Sequence, residues 1–311
     1  MPTIAVTGAT GFVGRHLAAM LRAEGWQVRT LVRRHDPGLT ELGCSLVPGD
    51  LDDGPALETL LDGAAAVVHA AGVVKAPDAA AYDAVNAGGS ARIAAAAARR
   101  PGCLLLQVSS LAARAPAVSP YAASKARGEA HALERADSLP VVVVRPPAVY
   151  GPGDRATLPL LRGLDRGWLV HPHNPDGRFS LLYIHDLARL LCAVLTAPPP
   201  TGTILEPDDG RAGGYGWADL ATAAQQHLGR RVRRLAVRRS PLAVAARLAE
   251  WHGRSVARSP ILSLGKLAEL YHRDWVSDTR GMAMVPGWRP QVEFGEGLIA
   301  SLHWYREAGW L

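Results

Sequence analysis

Tyr121 stands four residues before Lys125 in SPYAASKARGE, residues 119–129. Side chains four apart share one face of an α-helix, so a helix here sets a phenol beside an ammonium. A free tyrosine, with a pKa of about 10, is a poor base at neutral pH, and a neighbouring positive charge favours its phenolate. The pair therefore suits proton transfer to or from an oxygen atom. The competing reading is an ordinary surface helix opened by Ser119 and Pro120.

A second constellation points to binding. TGATGFVG, residues 7–14, spaces Gly8, Gly11 and Gly14 three apart, directly after the apolar run TIAVT and before a helical pattern. Glycine in such a turn lets the backbone approach a pyrophosphate, and the helix amino terminus beyond it offers free N–H groups and partial positive charge. A dinucleotide is expected on this loop, with Thr10, Phe12 and Val13 among its contacts; the alternative is a tight turn that packs helix on strand. The second apolar run, WQVRTLV at 26–32, leads into Arg33 and Arg34. An acid there would take the ribose hydroxyls of NAD, whereas guanidinium groups suit a 2′-phosphate. NADP is the preferred cofactor and NAD the other option, unless both arginines are only solvated surface charges. Asp36 lies too far along to serve the ribose.

These residues need a frame, and the chain supplies a regular one. Short β-branched runs alternate with helical patterns from TIAVT through CSLVPGD, AAVVHAAG and CLLLQVSS to LPVVVVRP at 139–146. About six such strands separated by helices are best explained by a Rossmann-type, doubly wound parallel sheet covered on both faces, an α/β fold with right-handed crossovers. The alanines of 94–98 allow close packing of a helix on that sheet. After RPPAVYGPGD, residues 145–154, proline and glycine become frequent and the rhythm breaks. RFSLLYIHDLARLLCAVL, 178–195, still reads as strand then helix and is expected to return to the sheet. The dinucleotide domain would comprise 1–146 and about 176–204, and a smaller, discontinuous C-terminal substrate lobe would comprise 147–175 and about 205–311.

Bulk properties narrow the class. The 311 residues are 48% hydrophobic and 20% charged, as in a globular protein with a substantial core. Cys44, Cys103 and Cys192 fit neither a disulfide framework nor a zinc spacing, so all three are read as reduced. No His/Glu/Asp spacing suggests a metal. No run approaches the roughly 18 apolar residues of a membrane-spanning helix, and the amino terminus lacks a leader pattern, so a cytoplasmic location is expected. The net charge of +6 is densest in GRRVRRLAVRR, 229–239. Val232, Leu235 and Val237 sit there as in a surface strand without aromatic residues to stack on bases, which argues against nucleic acid and leaves an acidic partner, lipid surface or phosphorylated substrate.

Taken together, TGATGFVG, GDL at 49–51, HAAG at 69–72, VSS at 108–110, YAASK at 121–125 and RPPAVYGPGD resemble the short-chain dehydrogenase/reductase superfamily. YIHDLA at 183–188 and the ending WYREAGWL are similar to its extended branch, the NAD(P)-dependent epimerase/dehydratase proteins. The resemblance spans essentially the whole chain. It implies that Asp50 and Leu51 contact the adenine, that Ala70, Ala71 and Gly72 line the cofactor with Pro146 and Val149, and that Tyr121, Lys125 and a serine of VSS are catalytic. Ser110 is preferred to Ser109 because it precedes the short loop, and the carboxyl ends of such strands are where ligands gather. Val74, Ser110 and Arg155 are the expected substrate contacts. Lys125 would also hold the nicotinamide ribose while Tyr121 gives or takes the proton that accompanies hydride transfer. Asn86 either orients a water or the lysine, or bends a helix. Asp186 is expected to cap the helix that follows it and to tie the two lobes together.

Within that branch the chain departs from sugar-nucleotide enzymes. Leu111 and Ala112 replace the Asp-Glu pair of sugar dehydratases, so elimination of water lacks its acid and base. Only eleven positions separate Ser110 from Tyr121, and Pro147 replaces an asparagine common in sugar epimerases. The leading expectation is NADP-dependent hydride transfer between a carbonyl and an alcohol on a small or medium, partly apolar molecule, with Trp168, Trp217, Trp251 and Trp275 as candidate pocket walls. The first alternative is a nucleotide-sugar epimerase in which Arg155 and the basic lobe hold a diphosphate. The second is a non-catalytic NADPH-binding accessory protein resembling a respiratory complex I subunit, with the amphipathic stretch 241–254 facing a partner or membrane. A small-molecule substrate is expected, with a homodimer as the possible assembly.

Overall fold

The structure, a computed structural model, describes residues 2–255 and 263–311, with 250–255 described by their backbone. Its centre is a seven-stranded sheet. Six strands, β1 (Thr3–Thr7), β2 (Gln27–Val32), β3 (Ser45–Pro48), β4 (Ala64–His69), β5 (Leu104–Val108) and β6 (Val141–Val144), lie in the spatial order β3-β2-β1-β4-β5-β6, and Thr203–Leu205 adds a seventh beside β6. Every neighbouring pair is parallel. Every residue of β5 and β6 is buried, which is why LLLQV and VVVV show no polar alternation: both sheet faces are covered. Ala94, Ala96 and Ala97 of the helix Gly88–Ala98 are buried in the core on one face, where larger side chains would hold the helix away from the sheet.

The chain lays down β1, β2 and β3 toward one edge, then crosses back to place β4 on the other side of β1. The loops after β1 and β4 therefore diverge at the point of reversal, the place where such sheets leave a crevice for a ligand.

The chain divides into two compact units, one of Met1–Arg145, Ala188–Glu206 and Thr279–Trp288, the other of Pro146–Leu187, Pro207–Asp278 and Arg289–Leu311. The strand within 178–195 does not return to the large sheet. Leu181–Tyr183 pairs with Ala148–Tyr150 in a separate two-stranded sheet. A parallel neighbour of β6 needs a crossover, and the helix Ile184–Thr196 supplies it to Thr203–Leu205 instead. In the second unit Trp168–Pro172 pairs with Arg233–Val237, the surface strand expected from Leu235 and Val237, and Arg178–Phe179 pairs with Asp274–Trp275. Its core is aromatic: Tyr150 meets Tyr183 and Phe294 at ring separations of 5.6 and 5.5 Å.

Candidate active site

The turn after β1 explains its glycines one at a time. Gly8 has φ +76°, and a Cβ there would stand 2.6 Å from the amide nitrogen of Ala71, in the loop after β4. A Cβ on Gly14 would stand 2.3 Å from the carbonyl oxygen of Gly8. Both glycines are demanded by the protein's own backbone packing. Gly11 differs, since a Cβ there would meet only the Gly8 carbonyl, at 3.2 Å. It is the N-cap of the helix Phe12–Ala23, which has no side-chain cap and no acid in its first turn. Uncapped N–H groups beside a small, open turn, with Thr10 and Phe12 at its rim and Val13 in the first turn of the helix, fit the phosphates of a dinucleotide.

Past the end of β2, Arg33 and Arg34 are exposed, and neither guanidinium has an ion pair or hydrogen bond among the described residues. Asp36 is committed elsewhere. Its Oδ2 lies 2.5 Å from Arg15, its Oδ1 accepts from the Leu39 amide at 3.1 Å to cap the helix Pro37–Glu41, and the Arg15 guanidinium holds its carboxyl below the usual range. After β3, Asp50 is exposed and accepts from the Asp52 amide at 2.9 Å, while Leu51 packs on the core and its carbonyl accepts from Arg92 at 2.8 Å. After β4, the Ala70 amide donates to the Thr7 carbonyl at 3.1 Å, Ala71 is half-buried and Gly72 is exposed. Val74 is exposed further along that loop.

The segment at 119–129 folds as its composition dictates. Ser119 Oγ accepts from the Ala122 amide at 3.0 Å and Pro120 takes the first position of the helix Pro120–Leu133. Tyr121 lies in the first turn, half-buried, edge-on to the Tyr82 ring at 6.1 Å. Lys125, one turn on, is buried, and its Nζ donates to the Val108 carbonyl at the end of β5 at 2.9 Å. A Cβ on Gly72 would lie 3.9 Å from that Nζ, so the ammonium sits where β4 and β5 end. Burial pulls its pKa down to about 8, against the opposing charge of Glu129.

The two serines of VSS part company. Ser109 is buried and its hydroxyl donates to Glu129. Ser110 is half-buried, and its Oγ accepts from the Ala112 amide at 3.2 Å to cap the short turn Leu111–Arg114. Among the described residues the Ser110 hydroxyl only accepts, which leaves its proton for a ligand.

Sequence reasoning missed what lies beneath. Glu129, one turn beyond Lys125 on the same helix face, is buried and takes two bonds from Arg145 Nε, both at 3.0 Å, and one from Nη2 at 2.6 Å. Arg145 also reaches Glu206 at 3.2 Å, and Arg114 reaches Glu206 at 3.4 Å. The repeat of four positions from Tyr121 through Lys125 to Glu129 was the available signal. Asn86 lies in a π-helical turn, Asp83–Ala87. Its Oδ1 accepts from the Val73 amide at 2.8 Å, and its Nδ2 donates to the Val73 carbonyl at 3.0 Å and to Ser124 Oγ at 2.9 Å. It pins the loop after β4 to the Tyr121 helix. His69 bonds Thr7 Oγ1 at 2.7 Å through Nδ1, while its buried Nε2 has no partner. Burial and the Lys125 charge hold it neutral, with a pKa of about 3.

Other expected residues belong to the second unit. Pro146 is buried and Val149 half-buried, the latter in the strand Ala148–Tyr150. The Arg155 guanidinium lies 4.3 Å above the Trp310 ring. Asp186 does not precede its helix as expected. It stands inside the first turn, and its Oδ2 accepts from the Gln291 and Val292 amides at 2.9 and 3.0 Å, because the carboxylate is buried against that segment. Of the expected tryptophans, Trp168 faces solvent, Trp217 packs on Phe179 at 4.8 Å, Trp275 pairs with Phe179 and packs on His272 at 4.3 Å, and the Trp251 side chain lies outside the described residues. No group of three or more His, Cys, Asp or Glu among the described residues is placed to hold a metal, and no described helix is long and apolar enough to cross a membrane.

Comparison with known proteins agrees with this geometry. Residues 4–204 match the model of the NAD dependent epimerase/dehydratase family. The chain is 38% identical over 315 aligned positions to the ceramide reductase of Caulobacter vibrioides, covering 99% of this chain and 96% of that protein. It is 33% identical over 180 positions to the 2-alkyl-3-oxoalkanoate reductase of Stenotrophomonas maltophilia, covering 51% and 54% of the two chains. Among solved structures, MoeE5 in complex with UDP-glucuronic acid and NAD superposes with a TM-score of 0.74 over 99% of this chain and all of that one, at 21% identity. An open glycine turn at the reversal point of a parallel sheet, with a family model matched over residues 4–204 and a reductase aligned over 99% of the chain, makes this chain a member of the NAD dependent epimerase/dehydratase family and an NAD(P)-dependent enzyme.

Proposed function

We propose that the protein is an NADP-dependent reductase that converts a ketone on a long apolar chain to a secondary alcohol. The observation that carries this reading is the buried Lys125 ammonium, held by the Val108 carbonyl one helical turn from Tyr121. An ammonium taken out of water is costly, and the Val108 carbonyl offsets only part of that cost. Here the ammonium favours the phenolate of Tyr121, so the phenol can deliver its proton to a carbonyl oxygen. Ser110 donates a hydrogen bond to that same oxygen, and Lys125 also holds the nicotinamide ribose. The bound cofactor supplies the hydride. Glu129 and Arg145 act as positioning residues, fixing the helix that carries the pair. Leu111, buried, and Ala112, half-buried, stand beside Ser110 and offer no acid or base for dehydration. Arg33 and Arg34, uncommitted where Asp36 is taken by Arg15, support NADPH over NADH. The substrate class rests on the two relatives named as reductases of a ceramide and of an alkyl-oxoalkanoate.

The test is NADPH consumption by the purified protein on a series of ketones of increasing chain length, with a nucleotide sugar as control. Turnover should rise with chain length and fall as pH increases through about 8, where Lys125 loses its proton. Tyr121→Phe should lower kcat/KM by roughly a hundredfold or more while NADPH still binds. Interconversion of the nucleotide sugar with tightly retained NAD would replace this reading by the epimerase. NADPH binding with no turnover in either form would replace it by the accessory role.

A further inference from the structure

The chain carries a net charge of +6, yet seven arginines fall between positions 230 and 247, with no acidic residue from 220 to 249. The excess positive charge of the whole protein is thus gathered in one segment of the second unit. Its strand Arg233–Val237 sets Arg233 opposite Trp168 and Leu235 opposite Val170. Paired residues of a ladder point to one face, and the Arg233 guanidinium indeed lies 5.4 Å from the Trp168 ring centroid. On that face Trp168, Val170 and Leu235 are 46%, 60% and 52% exposed. On the opposite face Leu169 is buried, while Arg234 and Ala236 are exposed and, with His171 and the Arg233 stem, line a cavity of about 690 Å³ against the helix Trp217–Leu228. The helix that follows, Arg239–Ser255, leaves Val244 and Leu248, four apart, 57% and 63% exposed.

Large apolar side chains that stay in water amid arginines, on a strand and on the next helix, have the chemistry of a bilayer interface rather than of a purely ionic partner. Tryptophan settles at headgroup level, arginine stems lie along the apolar boundary with their charges on lipid phosphates, and an anionic leaflet matches the sign of the segment. We propose that the face formed by Trp168, Val170, Arg233 and Leu235, extended by Val244 and Leu248, docks on an anionic lipid bilayer. The inference goes beyond the reductase reading and stands without it, because bilayer binding needs neither ketone nor cofactor.

Cosedimentation of the full chain with vesicles tests it. Binding should be at least tenfold tighter to mixed phosphatidylcholine and phosphatidylglycerol than to phosphatidylcholine alone, and should weaken with added salt. Val170→Ser with Leu235→Ser should cost roughly tenfold in vesicle affinity, and Leu248→Ser, on a separate element, should also weaken it. Unchanged circular dichroism and NADPH binding exclude misfolding as the cause. No binding to either vesicle, or wild-type binding by both variants, overturns the proposal. So does loss of self-association in the variants without vesicle binding by the wild type, which would make this face a contact between two copies.

Discussion

Ser109 and Ser110 are adjacent, identical in type and opposite in circumstance. Ser109 spends its proton on buried Glu129, whereas Ser110 accepts one backbone bond and keeps its own proton. Ser110→Ala should therefore reduce turnover about a hundredfold, while loss of its cap on Leu111–Arg114 costs about 1 kcal/mol in urea unfolding. Ser109→Ala should leave turnover per folded molecule near normal and cost about 1–2 kcal/mol in urea unfolding, because a buried carboxylate oxygen loses one of its two donors and keeps only Arg145. The reverse pattern would exchange their roles. Lys125 shows the other side of burial. Its folded pKa of about 8 lies below the ordinary 10.5, so its charge opposes folding fully below pH 8 and that penalty is relieved as pH rises toward 10.5. The four-residue spacing of Tyr121 and Lys125 was legible in the sequence. The burial that tunes the ammonium was not, because it depends on Val108 and the end of β4, distant in the chain.

Among elements, the glycine turn teaches most. Its three glycines look equivalent as a pattern, and the packing separates them. Gly8→Ala forces a left-handed φ on a residue whose Cβ meets backbone, and should cost about 2–3 kcal/mol in thermal or urea unfolding. Gly11→Ala should fold with little loss and weaken dinucleotide binding, measured by calorimetry; equal destabilisation of both would contradict this division. The run 178–195 is the counterexample to reading order as topology. Strand then helix was correct as local structure, but Leu181–Tyr183 joined Ala148–Tyr150 because strand pairing is decided by what edge is within reach, which periodicity does not encode.

For the whole molecule, cofactor choice becomes a measurable stability. A ligand at a hundred times its Kd stabilises by about 2.7 kcal/mol, so saturating NADPH should raise Tm clearly and NADH less. Arg33→Ala with Arg34→Ala should cost NADPH roughly tenfold to a hundredfold in affinity and leave NADH almost untouched; equal losses would exclude a 2′-phosphate contact. The sequence by itself determined the α/β class, the parallel sheet and the family, since apolar runs, glycine turns and helix starts act within a few residues of chain. Tertiary structure alone decided that Glu129, Arg145, Glu206 and Arg114 form one ionic network, that Asp36 is taken by Arg15, and that Trp168, Val170 and Leu235 of a small basic sheet stay open to solvent. Those outcomes depend on which distant side chains compete for the same partner, and that competition exists only once the chain has closed on itself.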